Sequence, residues 1–129
     1  MKPAPARAGL FIYAKDIKRL AHFYQTLLDM ARTHTTPDLV VLSSADLQII
    51  VHAMPPHLAA DVQLASTPPS REQAAFKFFY TVPSLAAATG TAATLGGDVR
   101  PEQWSGLGFV VRNAIDPEGN IFQLRETTL

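Results

Sequence analysis

One local plan is written twice along this chain. It is clearest near the C-terminus, in Phe109-Val-Val-Arg-Asn-Ala-Ile-Asp116-Pro117-Glu118-Gly119-Asn120-Ile-Phe122-Gln123-Leu124-Arg125-Glu126. Two apolar strands flank a tight polar turn, and Gln123 is a polar residue set inside the second strand. Pro117 fixes the φ that a type I turn needs at its second position. Gly119 can take the positive φ that closes the turn with a bulge. A shorter form occurs earlier, at Leu39-Val-Val-Leu42 and Leu47-Gln48-Ile49-Ile50-Val51, again with a glutamine early in an apolar strand.

The segments before each hairpin also match. Leu10-Phe-Ile-Tyr-Ala14 reads as a strand, Asp16 as a helix N-cap, and Ile17, Leu20, Ala21, Tyr24, Leu27 and Leu28 fall at helical spacing. In the second half, Phe76-Lys-Phe-Phe-Tyr-Thr-Val82 reads as a strand and Ser84 as an N-cap. The helix carries Leu85, Ala88, Ala92 and Leu95 on one face and stops at Gly96-Gly97. Gly90 inside it costs about 1 kcal/mol relative to alanine. The pattern is strand–helix–strand–strand–strand, repeated.

This arrangement resembles the vicinal oxygen chelate superfamily, which holds glyoxalase I, the bleomycin resistance proteins and the extradiol dioxygenases. The resemblance rests on the strand followed by Asp16-Ile17, the helix with Phe23-Tyr24 and Leu27-Leu28, the Leu95-Gly96-Gly97 exit, and the Asp116-Pro117-Glu118-Gly119-Asn120 turn. It spans roughly residues 8–127. It implies an α+β fold: two βαβββ modules forming a cup-shaped open barrel of mixed sheets, with one helix outside each. It also implies a homodimer.

Composition fits one domain over 1–129, with module one at about 8–54, a connector at 55–74 and module two at about 75–127. Each module is too small to bury enough surface alone. The connector is rich in proline and polar residues, with a short helical turn expected around Leu58 to Val62. Lysine plus arginine and aspartate plus glutamate both number 11, which lacks the basic footprint of a nucleic-acid binder. No apolar run reaches membrane-spanning length. The segment Met1 to Arg7 has no apolar centre and reads as a loose tail rather than a signal peptide. Cysteine is absent, so thiol catalysis, disulfides and thiolate metal sites are excluded, consistent with the cytoplasm.

In metal-bearing relatives, four side chains converge in the cup, one from the first and one from the last strand of each module. Carried over by position, these are Gly9, Gln48, Lys77 and Gln123. Glycine has no donor, an ammonium repels a cation, and neutral amides are weak oxygen donors. The expectation is no metal and no cofactor. Strand alternation then sets the residues beside these positions: Phe11 and Tyr13 follow Gly9, Ile50 and His52 follow Gln48, Phe79 and Thr81 follow Lys77, and Arg125 follows Gln123. Leu10, Ile12, Leu47, Ile49, Val51, Phe76, Phe78, Tyr80, Val82, Phe122 and Leu124 take the opposite faces, under the helices.

Simpler readings stand beside each candidate. His52 is also a hydrogen-bonded strand-end residue, Lys77 a side chain with its head in water, Gln48 and Gln123 bonded to backbone or water, and Arg125 a surface charge or ion pair. Trp104 lies in a glycine-flanked loop, as a lid, a dimer contact or simple packing. His22, His34 and His57 show no metal spacing, and no nucleophile elbow or phosphate loop is present.

Two functions follow. The first is a metal-free binder of a small aromatic or anionic molecule, using Phe11, Tyr13, Gln48, Ile50, His52, Lys77, Phe79, Trp104, Gln123 and Arg125. The second is a divergent metal-dependent lyase, isomerase or dioxygenase in which His52 and Glu126 supply donors. Glu126 has the wrong strand parity to join Gln123, and the first is favoured because chelation needs donors that the sequence does not supply at the matching positions.

Overall fold

The computed structural model describes residues 6–56 and 74–129. The helical turn expected around Leu58 to Val62 lies outside them. The chain divides into two compact units, Met1–Gln63 and Leu64–Leu129. Each holds its own open sheet and one helix among the described residues.

In the first unit, β1 (Gly9–Ala14) leads into α1 (Ile17–Leu27), and β2 (Ala31–Thr36), β3 (Leu39–Ser43) and β4 (Gln48–Ala53) follow. The four-stranded sheet has the order β1-β4-β3-β2. The first and last strands are thus parallel neighbours, with Gly9 opposite Gln48 and Tyr13 opposite His52. Such a pair needs a long crossover, which α1 begins.

Helix α1 starts where expected. The Asp16 carboxylate accepts from Arg19 N at 3.1 Å, satisfying an N–H that the first turn leaves unpaired. Leu20, Ala21, Phe23, Tyr24 and Leu27 are buried. Phe23 and Tyr24 meet edge to face with centroids 5.1 Å apart, a favoured geometry because the positive ring edge faces a negative π face. The chain leaves through Asp29 at φ 52°, a left-handed residue that aspartate tolerates better than most. Ile49, Val51, Val40 and Leu42 are buried on the sheet.

In the second unit, β5 (Phe79–Thr81) precedes α2 (Leu85–Thr94), then β6 (Asp98–Val99), β7 (Trp104–Gly106), β8 (Phe109–Ile115) and β9 (Ile121–Thr127). The order is β5-β9-β8-β6, and β7 pairs with β8 beside β6. The Ser84 hydroxyl accepts from Ala87 N at 3.0 Å as the N-cap. Gly96 ends the helix at φ 91°, a conformation that only glycine adopts without strain. Leu85, Ala88 and Ala92 face the interior.

The Asp116–Asn120 turn closes as its residues dictate. One Asp116 carboxylate oxygen accepts from Glu118 N at 2.8 Å and Asn120 N at 3.0 Å. The other accepts from the Asn120 amide at 2.9 Å. Gly119 sits at φ 86°. Buried carboxylates need partners of this kind, and Asp116 is fully buried.

Three local expectations change. The strand read over Phe76 to Val82 is reduced to Phe79–Thr81, although Phe78 O still accepts from Gln123 N at 2.9 Å. Phe76, expected under the helix, is 92% exposed, because pairing does not extend back to it. Trp104, read as part of a loop, begins strand β7, opposite Val111.

Candidate functional site

Paired residues on neighbouring strands share a face, so the registers define what each sheet presents away from its helix. In the first unit these are three cross-strand rows. Gly9, Gln48 and Ser43 form one, Phe11, Ile50 and Val41 the next, and Tyr13, His52 and Leu39 the third. Phe11 is 52% exposed and Tyr13 48% exposed, so this open face carries aromatic surface that the unit does not cover.

The aromatic residues are ordered among themselves. Phe11 stacks on His52 at 5.6 Å and 24°, and Tyr13 meets Phe11 edge-on at 5.1 Å. Tyr13 also meets His52 edge-on at 6.0 Å. His52 Nδ1 lies 2.8 Å from Ala53 O. A carbonyl only accepts, so Nδ1 carries the hydrogen there. Beyond Gln48, the face opens into a cavity of about 500 Å³ lined in part by Arg7, Thr33, Ser43, Asp46 and Gln48.

In the second unit the open face carries Phe79 beside Gln123 beside Asn113, and Thr81 beside Arg125 beside Val111 beside Trp104. Phe109 and Gly106 form the adjoining row. The Gln123 amide donates to Asn113 Oδ1 at 3.3 Å. The Arg125 guanidinium carbon lies 3.7 Å from the Phe79 ring centroid and 4.0 Å from that of Phe109. These rings come from β5 and β8, the strands on either side of β9, so the cation is held between them. Arg125 is half-buried, and no ion pair to it forms among the described residues.

Phe109 and Asn113 are site-lining residues that sequence reasoning passed over. Parity along β8, counted back from Asn113, would have put both on the Gln123 face. Gly106 makes room for Phe109. A Cβ built at Gly106 would lie 2.1 Å from Phe109 Cζ, so the ring lies across the glycine backbone in the manner of a cross-strand aromatic–glycine pair. Gly106, Phe109, Arg125 and Phe79 thus lie in sequence across the sheet.

The structure distributes the remaining candidates as follows. Ile50 is half-buried between Phe11 and Val41. Lys77 is exposed and precedes β5, so no strand pairing fixes it. Trp104 is 51% exposed on the Arg125 face. Glu126 lies on the opposite face, where its carboxylate accepts from Leu85 N at 2.6 Å. That position at the start of α2 suits a negative charge.

The four family positions do not fit a divalent ion. A Cβ at Gly9 would stand 3.0 Å from Gln48 O, so the position lacks a donor and has little room for one. Gln48 and Gln123 offer only neutral amide oxygens, weak donors for a divalent ion, and Lys77 brings a positive charge. Within neither unit do three histidine, aspartate or glutamate side chains gather among the described residues. No helix among them is long and apolar enough to cross a membrane.

Two units of one plan, βαβββ in the first and the same in the second with β6 and β7 both pairing along β8, each with parallel first and last strands and an aromatic open face, define a class of small α+β proteins. Within it, the chain belongs to the glyoxalase-like domain family, whose model matches residues 9–125. Solved structures share the fold at low identity. A glyoxalase/bleomycin resistance protein/dioxygenase family enzyme from Burkholderia phytofirmans is 16% identical, with a TM-score of 0.69, covering 95% of this chain and 99% of its own. A fosfomycin resistance protein from Listeria monocytogenes is 16% identical, with a TM-score of 0.63, covering 100% and 97%. A bleomycin resistance determinant encoded on the transposon Tn5 is 17% identical, with a TM-score of 0.62, covering 97% and 100%. A search of curated proteins finds no significant match.

Proposed function

We propose that this protein binds a small flat molecule, aromatic or anionic, against its open sheet faces without a metal ion. The observation that carries this reading is the aromatic surface on those faces: Phe11, Tyr13, Phe79 and Trp104 are each about half exposed. Exposed rings in ordered contact offer stacking area, while Gln48, Gln123, Lys77 and Arg125 offer polar and cationic contacts that would orient a ligand. Relatives of the same fold include proteins named for resistance to bleomycin and to fosfomycin, which agrees with small-molecule recognition.

The metalloenzyme alternative draws no support from the residues that would have to rescue it. The Glu126 carboxylate is engaged at the start of α2, and His52, whose Nε2 keeps its lone pair, is in no cluster of three metal-ligating side chains among the described residues. A homodimer in the cytoplasm completes the proposal. Leu107 and Leu129 are fully exposed apolar side chains, of the kind a second copy would cover.

The test is elemental analysis of the purified protein, then a thermal-shift screen of flat aromatic acids, amides and neutral compounds. The expected result is no stoichiometric metal and stabilisation by a subset of the screen. Stoichiometric zinc, nickel, iron or manganese lost on replacing Gln48 and Gln123 would refute the metal-free reading.

A further inference from the structure

Arg125 is held in a way that its own unit does not explain. Its guanidinium lies between Phe79 and Phe109 at 3.7 and 4.0 Å. Its Nε is sealed from solvent and has no hydrogen-bond partner. Among the described residues, neither terminal nitrogen has an acceptor or a carboxylate beside it, yet only Nε is sealed. The guanidinium carbon sits over both rings, and the N–H groups lie in the plane of the cation. What remains reachable is the terminal edge, where two N–H groups point the same way.

The surroundings restrict what could meet that edge. The open-face neighbours of Arg125 are Thr81, Val111, Phe79, Phe109, Trp104, Gln123 and Thr127. None is charged, and Lys77 precedes β5, exposed and outside the strand pairing, so Arg125 is the one cation these strands hold in place among the described residues. A dianion would lack a second cation fixed beside it. A monoanion with a flat apolar body would match the charge, and its body would extend over Val111 toward Trp104. Trp104 lies two strands away, about 10 Å at the usual strand spacing.

We infer that the Arg125 terminal edge is the anchor for the carboxylate of a flat aromatic or aliphatic-ring acid, received end-on by both terminal nitrogens. This deepens the binding reading above and rests on it. Contact with Phe79 and Phe109 on either side and the sealed Nε restrict the guanidinium, so its terminal donors are restricted before the ligand arrives. Arginine–carboxylate pairs of this two-point geometry combine charge with direction. The anchor is Arg125 and not Lys77, whose ammonium can supply charge but no planar fork.

The experiment titrates the full chain with 2-naphthoate, 2-naphthamide and 2-naphthyl phosphate, by calorimetry and by NMR of the Arg125 side chain. The acid should bind at least about tenfold more tightly than its neutral amide, and the phosphate no more tightly than the acid. Arg125→Lys keeps the charge and loses the fork, so it should remove most of the acid preference, with circular dichroism verifying that the variant is folded. The acid–amide comparison on the unmodified protein stands even if that variant does not fold. Equal binding of acid and amide, tighter binding of the phosphate, or a preference that survives in Arg125→Lys would each overturn the carboxylate anchor and leave the binding reading intact. If none of the three probes nor any member of the thermal-shift screen binds, both fail together.

Discussion

Replacing Glu126 by alanine should destabilise the protein by about 2 kcal/mol. The bond at issue runs from Leu85 N to the Glu126 carboxylate at 2.6 Å, is partly buried, and links residues 41 apart in sequence. A hydrogen bond to a charged group contributes about 1.5–3 kcal/mol net, and a charge at a helix N-terminus about 0.3–1 kcal/mol, a contribution that overlaps the first. Helix α2 has little intrinsic strength to compensate. It contains Gly90, and Thr89, Thr91 and Thr94 bond back to the carbonyls of Leu85, Ala87 and Gly90, a habit that weakens helices slightly. Glu126→Gln keeps an acceptor and loses the charge, so about half the effect should remain. Ser84→Ala removes only the local cap and should cost about 1 kcal/mol. Urea denaturation followed through Trp104, the single tryptophan, reads these differences. At a slope of about 1–3 kcal/mol/M, the midpoint of Glu126→Ala should fall by on the order of 1 M. A fall corresponding to less than about 0.5 kcal/mol would refute the claim that Glu126 anchors the helix, since that is the range of ordinary surface substitutions.

Gly90→Ala should stabilise the protein by about 1 kcal/mol, or about 4 °C in Tm, because a Cβ there meets nothing within 4 Å; a lower Tm would contradict this. Gly106→Ala should destabilise by about 1–3 kcal/mol, since the added Cβ would run into the Phe109 ring at 2.1 Å. The displaced ring should also leave Arg125, so the Arg125 side-chain proton resonances should lose part of their ring-current shift. Unchanged resonances would mean that Gly106 does not position the Phe109 ring.

The parts of this fold that could be read from sequence are those set by neighbours in the chain. Asp16 and Ser84 cap their helices through residues three positions on, and the turn at Asp116 needs only its own five residues. Period-2 alternation placed Gln48, His52, Gln123 and Arg125 on the open faces. Strand β2 (Ala-Arg-Thr-His-Thr-Thr36) is counted in the repeated pattern but not located from sequence, because it is an edge strand, exposed throughout except at Thr36, so burial imposes no alternation on it. Strand β7 is three residues containing glycine and reads as a turn without its partner β8. The holding of Arg125 was invisible for a similar reason. It depends on diagonal neighbours from two other strands, and on a glycine whose missing side chain leaves room for a ring.

The strand order also governs when each sheet can be completed. Among the described residues, β1 pairs only with β4 and β5 only with β9. During synthesis, Gly9–Ala14 must therefore wait for Gln48–Ala53 to emerge, and Phe79–Thr81 must wait for the final strand of the described chain. Pairings between such distant segments form slowly, because the loop between them must be closed first. A chain stopped short of Ile121 would leave the Phe79 strand with no partner and the long β8 strand with one edge bare. Bare strand edges recruit other chains, so truncation there should produce aggregates rather than a smaller folded protein.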